Sequence, residues 1–180
     1  ICLEDAESVI RAEKGGADRV ELCGDLFEGG TTPTLGTFLT ARRHTSIKIN
    51  VMIRPRGGDF AYSDIEFETM LEDVRIFKEN GADGIVFGIL NGDGTIDRAR
   101  SEKIIEAARP LPVTFHRAFD MTKDLFSSLE TLIDMGVDRV LTSGGEPTVM
   151  EGILNLMALV EKAGDRIIVM PGCGINEKNF

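Results

Sequence analysis

Short apolar, β-branched runs alternate along this chain with stretches whose apolar residues recur every three or four positions. The runs lie at 1–3, 18–23, 47–54, 84–89, 112–117, 138–143 and 167–171. Continuous apolar runs of this length predict short strands buried on both faces. Between them, Ser63 stands three residues before Glu66 as a capping box, and Phe67, Met70, Leu71, Val74 and Phe77 repeat at helical spacing up to Gly81. Leu125, Leu129, Leu132 and Ile133 make a second such face before Gly136, and Ile153, Leu156, Met157 and Val160 a third before Gly164. Thr32-Pro33 predicts an N-cap and first-turn proline, opening a helix to about Arg43.

One frame recurs. Gly16-Ala17-Asp18-Arg19-Val20-Glu21-Leu22-Cys23 is echoed by Gly81-Ala82-Asp83-Gly84-Ile85-Val86-Phe87-Gly88 and by Gly136-Val137-Asp138-Arg139-Val140-Leu141-Thr142-Ser143. A fainter copy runs from Gly164 to Met170. The glycine ends a helix, because glycine takes the left-handed cap conformation at little cost. Strands alternating with helices in this way argue a parallel sheet with right-handed crossovers. A doubly wound sheet would carry a glycine-rich fingerprint after its first strand, and Cys2-Leu3-Glu4-Asp5 is not one. The expectation is an α/β fold, a (β/α)8 TIM-type barrel lacking its last β/α unit, in one domain over 1–180. Ile1-Cys2 reads as the tail of a strand and Asn176–Phe180 as the first turn of an unfinished helix, so the domain is expected to be incomplete at both ends.

Strand side chains alternate faces. The consistently apolar parity, Val20, Ile85, Val140 and Ile167, is expected to meet the helices. The other parity then faces inward and lines the mouth with Cys23, Arg54, Gly88, His116, Ser143 and Met170. If Cys2 also faces inward, its sulfur and that of Cys23 are placed to grip one soft ion. Cu(I) suits two thiolates, with Met170 as a distant third ligand. The plainer alternative is that both are small buried residues, as free cysteines usually are. Cys173 sits in a loop and is expected to be incidental.

A second chemistry is suggested by Ile53-Arg54-Pro55-Arg56-Gly57-Gly58-Asp59-Phe60, where two arginines flank a proline at the end of a strand. Phe115-His116-Arg117-Ala118-Phe119-Asp120 ends another strand in the same way. Arg54, Arg56 and Arg117, with Gly172 and Gly174 after the seventh strand, are the candidate anion-binding residues. If the protein is an enzyme, His116, Arg54 and Glu21 are the candidate catalytic residues, His116 as general acid or base. The structural alternative pairs the arginines with Asp59 and Asp120, and Glu21 with Arg54. His44 reads as a surface residue.

The chain has 180 residues, is 42% hydrophobic and 28% charged, and carries a net charge of −10. Its pI is about 4.7. This is an ordinary globular composition. With no basic run to neutralise phosphates, nucleic-acid binding is not expected. No apolar run is long enough for a membrane span. Three cysteines make no disulfide framework, and the expected setting is the reducing cytoplasm, with nuclear entry left open. No apolar stripe decides between a monomer and a homo-oligomer.

The segments Gly16–Cys23, Glu28–Pro33, Met52–Phe60, Pro112–Asp120 and Arg139–Gly144 resemble the CutC copper homeostasis protein family, closest to its animal members. The resemblance runs over essentially the whole chain. It implies a TIM barrel, a cytoplasmic protein and a role in copper handling, with Cu(I)-binding cysteines falling on Cys2 and Cys23. Cys173 replaces a glycine usual at its position in the family. Two functions follow as expectations. One is a copper homeostasis protein that binds, buffers or carries Cu(I) through thiolates at the barrel mouth. The other is an enzyme of unassigned reaction acting on a small anionic, phosphorylated-type substrate.

Overall fold

The computed structural model describes residues 1–179. Seven strands follow one another in chain order in a single parallel sheet. They are β1 (Cys2–Leu3), β2 (Arg19–Leu22), β3 (Lys48–Met52), β4 (Gly84–Phe87), β5 (Val113–Phe115), β6 (Arg139–Thr142) and β7 (Ile168–Pro171). Between them run α1 (Ala6–Lys14), α2 (Leu35–His44), α3 (Asp64–Glu79), α4 (Arg98–Ala108), α5 (Leu125–Asp134) and α6 (Ile153–Ala163). All seven expected strands form, each shorter than its apolar run because pairing ends before the apolar residues do. The sheet curls on itself: Arg19 on β2 reaches across to the sulfur of Met170 on β7, 3.6 Å away.

The repeated frame has a physical job at the bottom of each unit. Gly16, Gly81 and Gly136 end α1, α3 and α5 with φ of 84°, 90° and 72°, values that L side chains avoid. In the second and third copies the aspartate two residues later clamps the preceding strand. Asp83 accepts the N–H of Ile49 at 2.8 Å and an Arg42 guanidinium N–H at 2.8 Å. Asp138 accepts the N–H of Val113 at 2.8 Å. Each carboxylate thus satisfies a strand-start donor that pairing leaves free.

Val20, Leu22, Ile49, Val51, Ile85, Phe87, Val113, Phe115 and Val140 are fully buried on the sheet's outer face. They pack with Phe38, Met70, Val74, Ile104 and Leu129 from the helices in one core. A separate small cluster of Cys23, Met52 and Val86 lies on the inner face. The expected division of faces holds. The alignment of frame copies does not. Val20 pairs with Ile49, whereas Ile85 is in register with Val51 and so with Leu22, two residues further on. Val140 pairs with Val169, two beyond Ile167. A slip of two keeps every side chain on its face but staggers the strands, as in a tilted, closing sheet. Met170 is therefore in register with Leu141 and not with Ser143.

Three further expectations change. Thr32 does not cap α2; Thr34 does, accepting the N–H of Thr37 at 3.1 Å. Thr32 instead ties the preceding loop to Arg54, whose carbonyl accepts its N–H at 2.8 Å. An exposed apolar face does exist, on α6, where Ile153, Leu154, Met157 and Val160 point outward. Asn176 to Asn179 form a turn, and the last residue of the expected helical start, Phe180, lies outside the described residues.

The capping box at Ser63 is formed: the Glu66 carboxylate accepts the Ser63 N–H at 2.7 Å, and Ser63 Oγ accepts the Glu66 N–H at 3.3 Å. Ser63→Ala should lower stability by about 1 kcal/mol. An unchanged urea midpoint would show that Glu66 alone holds the start of α3.

Candidate functional site

The candidate site lies inside the sheet, at the C-terminal ends of β1 to β5. Cys2 pairs in register with Glu21, so both face inward while Leu3 and Leu22 face the helices. The Cys2 Sγ stands 3.4 Å from the Sγ of Cys23, diagonally across the strand pair. Cys23 is fully buried and its thiol also points at the Leu3 carbonyl, 3.4 Å away. The contact with Cys23 holds the Cys2 thiol far above its ordinary titration range, with burial and the charge of Glu21 adding to it. The Cys2 sulfur therefore keeps its proton until something replaces it. Burial likewise raises the Glu21 carboxyl, opposed only in part by the Cys2 thiol and Arg19. The expected pairing of Glu21 with Arg54 is not made, because Glu21 is in register with Asn50, well below Arg54 on the neighbouring strand.

Arg54 follows β3 and is only 4% exposed. It donates from Nη1 to the carbonyls of Glu28 at 2.7 Å and Gly30 at 3.0 Å, and from Nη2 to that of Gly58 at 2.8 Å. The Phe60 ring covers the guanidinium, 4.8 Å from Cζ to the ring centroid. Its Nε is buried without a partner. Among the described residues no carboxylate comes within salt-bridge range of Arg54.

His116 follows β5 and is 3% exposed. Its imidazole lies over Gly88, where an added Cβ would stand 2.5 Å from Cε1 and 2.6 Å from Nδ1. Nδ1 accepts the N–H of Ala118 at 3.1 Å, so Nε2 carries the proton. That Nε2 is buried and unpartnered. The Phe60 ring that covers Arg54 also packs on His116, with ring centroids 5.1 Å apart. Burial, helped by the Arg54 charge, lowers the His116 pKa to about 3. In this environment the imidazole is held neutral and presents its Nε2–H as a hydrogen-bond donor.

The other candidate anion-binding residues are occupied by the protein itself. Arg56 donates to Glu66 at 2.6 Å and to Asp59 at 3.1 Å, and its remaining N–H groups reach backbone carbonyls. Arg117 donates to Asp120 at 2.7 Å and to Ser143 at 2.8 Å. Asp120 is the anion of that loop: it accepts the N–H groups of Ser143 at 3.1 Å and Gly145 at 3.0 Å, as well as the Thr142 hydroxyl. Gly172 uses its N–H in the strand ladder, donating to Thr142 O at 3.0 Å, and the Leu141 side chain fills the space above it. Gly174 packs on Thr148, and the Cys173 carbonyl accepts the N–H of Val149 at 3.1 Å. The Gly172 N–H is thus taken by the strand ladder. Met170 is turned to Arg19 and not to the thiols. Phe60 carried no signal of its own in the sequence beyond an aromatic just after a glycine pair, yet its ring is the shared wall of the site.

Fold and site together define a parallel α/β protein with a close pair of thiols, Cys23 buried and Cys2 exposed, and a buried Arg–His pair at the strand ends. The CutC family model matches residues 1–180, and the chain belongs to the CutC family. It is 51% identical over 180 residues to the copper homeostasis protein cutC homologs of Homo sapiens and Mus musculus. That similarity covers 100% of this chain and 66% of each relative, so the chain spans just under two thirds of their length. The crystal structure of CutC from Streptococcus agalactiae superposes with a TM-score of 0.94 at 38% identity, covering 99% of this chain and 89% of that one. An aldolase, QR15, shares the fold alone, with a TM-score of 0.62 at 15% identity over 91% of this chain and 71% of its own.

Two outcomes are expected from the His116 geometry. Its folded pKa lies below the unfolded value, so its contribution to stability is complete above about pH 6.5 and declines as pH falls toward about 3. The decline approaches about 1.4 kcal/mol per pH unit. Urea midpoints of His116→Phe should fall less steeply than wild type between about pH 7 and pH 4; parallel curves would mean that His116 is not desolvated. Gly88→Ala should cost about 1–3 kcal/mol by forcing the imidazole aside, read as a lowered midpoint at unchanged denaturant slope.

Proposed function

We propose that this chain serves copper homeostasis and that Cys2 and Cys23 are its Cu(I) ligands. The observation that carries this is the 3.4 Å contact between two free thiols on neighbouring strands. Two sulfurs this close can share one soft monovalent ion, and thiolates prefer Cu(I) to hard cations. Among the described residues no group of three or more His, Cys, Asp and Glu is placed to hold a metal, so the thiol pair is the candidate ligand set. The relatives named as copper homeostasis proteins support the same assignment. The ion enters as cargo: each thiol gives up its proton as a sulfur–copper bond forms.

Residues 1–180 are in this reading one domain, contributing seven units of a (β/α)8 barrel. Strand order, the stagger of two residues and the reach of Arg19 to β7 support it. The free cysteines suit a reducing cytoplasmic setting. No helix is long and apolar enough to cross a membrane, and the acidic charge speaks against a nucleic-acid partner.

Anaerobic titration with Cu(I) against a competing chelator should give one tightly bound ion per chain. Cys2→Ser and Cys23→Ser should each abolish it, while Arg54→Gln retains it. Because two protons leave, the apparent affinity should rise about a hundredfold per pH unit. Undiminished binding in the double serine variant would refute the assignment.

A further inference from the structure

We propose that the mouth of the sheet holds a second site, for a small oxyanion, formed by Arg54 Nε and His116 Nε2 behind the ring of Phe60. Its basis is an imbalance of donors over acceptors. Arg54 is a permanent cation, 4% exposed, held by three carbonyl oxygens. Carbonyl dipoles orient a guanidinium but do not neutralise it, and a buried charge without a counter-charge is costly. Arg56 and Arg117 both have carboxylates; Arg54 has none among the described residues.

The second donor points the same way. His116 donates from Nε2, since Nδ1 is engaged by Ala118, and that N–H finds no acceptor. Tyr62, on the same loop as Phe60, adds a buried hydroxyl beside the Arg54 guanidinium that makes no well-formed hydrogen bond. A buried N–H left unmade costs about 1–3 kcal/mol. Natural interiors keep such groups only where something satisfies them. Two unpaired N–H donors, one of them on a cation, call for an acceptor with negative charge and more than one oxygen. A carboxylate or a phosphate has that chemistry.

The architecture supports a built site. Arg54 and His116 follow different strands, β3 and β5, and both pack against one aromatic ring. Gly88, on the strand between, lacks the side chain that would push the imidazole away. Phe60 is half-buried and follows Gly57-Gly58, so its ring can move aside for entry and then exclude water, which strengthens the ion pair. This site is separate from the thiols. Gly30 stands between them, its α-carbon against Cys23 and its carbonyl on Arg54.

The test is made on the copper-free chain with inorganic phosphate and acetate at constant ionic strength, against chloride. Calorimetry should show saturable one-to-one binding of one of the two anions, which also decides between phosphate and carboxylate. Arg54→Gln and His116→Phe should each weaken it about tenfold or more. The double variant Cys2→Ser/Cys23→Ser should bind the anion unchanged, so this outcome is independent of the copper assignment. The wild type provides a readout that needs no variant. There are only two histidines, so the ring Nε2–H of His116 can be followed by 15N-resolved NMR. It should move downfield as the anion saturates. No saturation by either anion, or an unmoved His116 signal during binding, would overturn the proposal and leave enclosed water as the partner of both donors.

Discussion

The register of the strands rests on aspartates at their starts, and Asp83 shows how. Its carboxylate takes the N–H of Ile49 at the start of β3 and the guanidinium of Arg42 behind it. Asp138 does the same for β5 through Val113. A parallel strand has no hairpin to set its register, so something at the strand start must do so. A slip of one residue would turn Cys23, Arg54 and His116 out to the helices and bring their apolar neighbours inside. The chemistry at the top of the sheet therefore depends on carboxylates at the bottom, one sheet thickness away from any ligand.

Burial then sets the charge state of what the register brings inside. The two thiols face each other and the Cys2 thiol stays protonated; the imidazole of His116 stays neutral; Arg54 cannot lose its charge and remains positive. The interior is thus divided into a soft part around Cys2 and Cys23 and a hard, cationic part around Arg54. The first suits a soft cation that displaces protons. The second suits an anion. Their separation by a single glycine, Gly30, places them close enough for the charge in one to be felt in the other.

Much of the fold was legible in the residues. The seven apolar runs all became strands, and the Ser63–Glu66 pair all but spelled out the start of α3. The inward parity of Arg54 and His116 followed from simple alternation. Legibility ended where depth along the strand mattered. Copies of the frame look equivalent in sequence, yet each is staggered by two residues, so Met170 does not stand beside Ser143. Which arginine is free was equally hidden. Arg54, Arg56 and Arg117 look alike in their loops, but Glu66 claims Arg56 and Asp120 claims Arg117. The α6 face escaped notice because the period of a helix does not say how much of its apolar surface a neighbour will cover.

The sequence by itself determined the local choices: where strands and helices start and stop, which face of each strand is apolar, and which residue types gather at the strand ends. These depend on neighbours a few positions away, through capping, glycine conformation and side-chain alternation. Only the tertiary structure decided that Cys2 meets Cys23, that Phe60 joins Arg54 to His116, and that, among the described residues, Arg56 and Arg117 find carboxylates while Arg54 does not. Those facts rest on the stagger between strands and on the path of loops that return over the mouth. They are distances between residues far apart in the chain, and no local pattern encodes them.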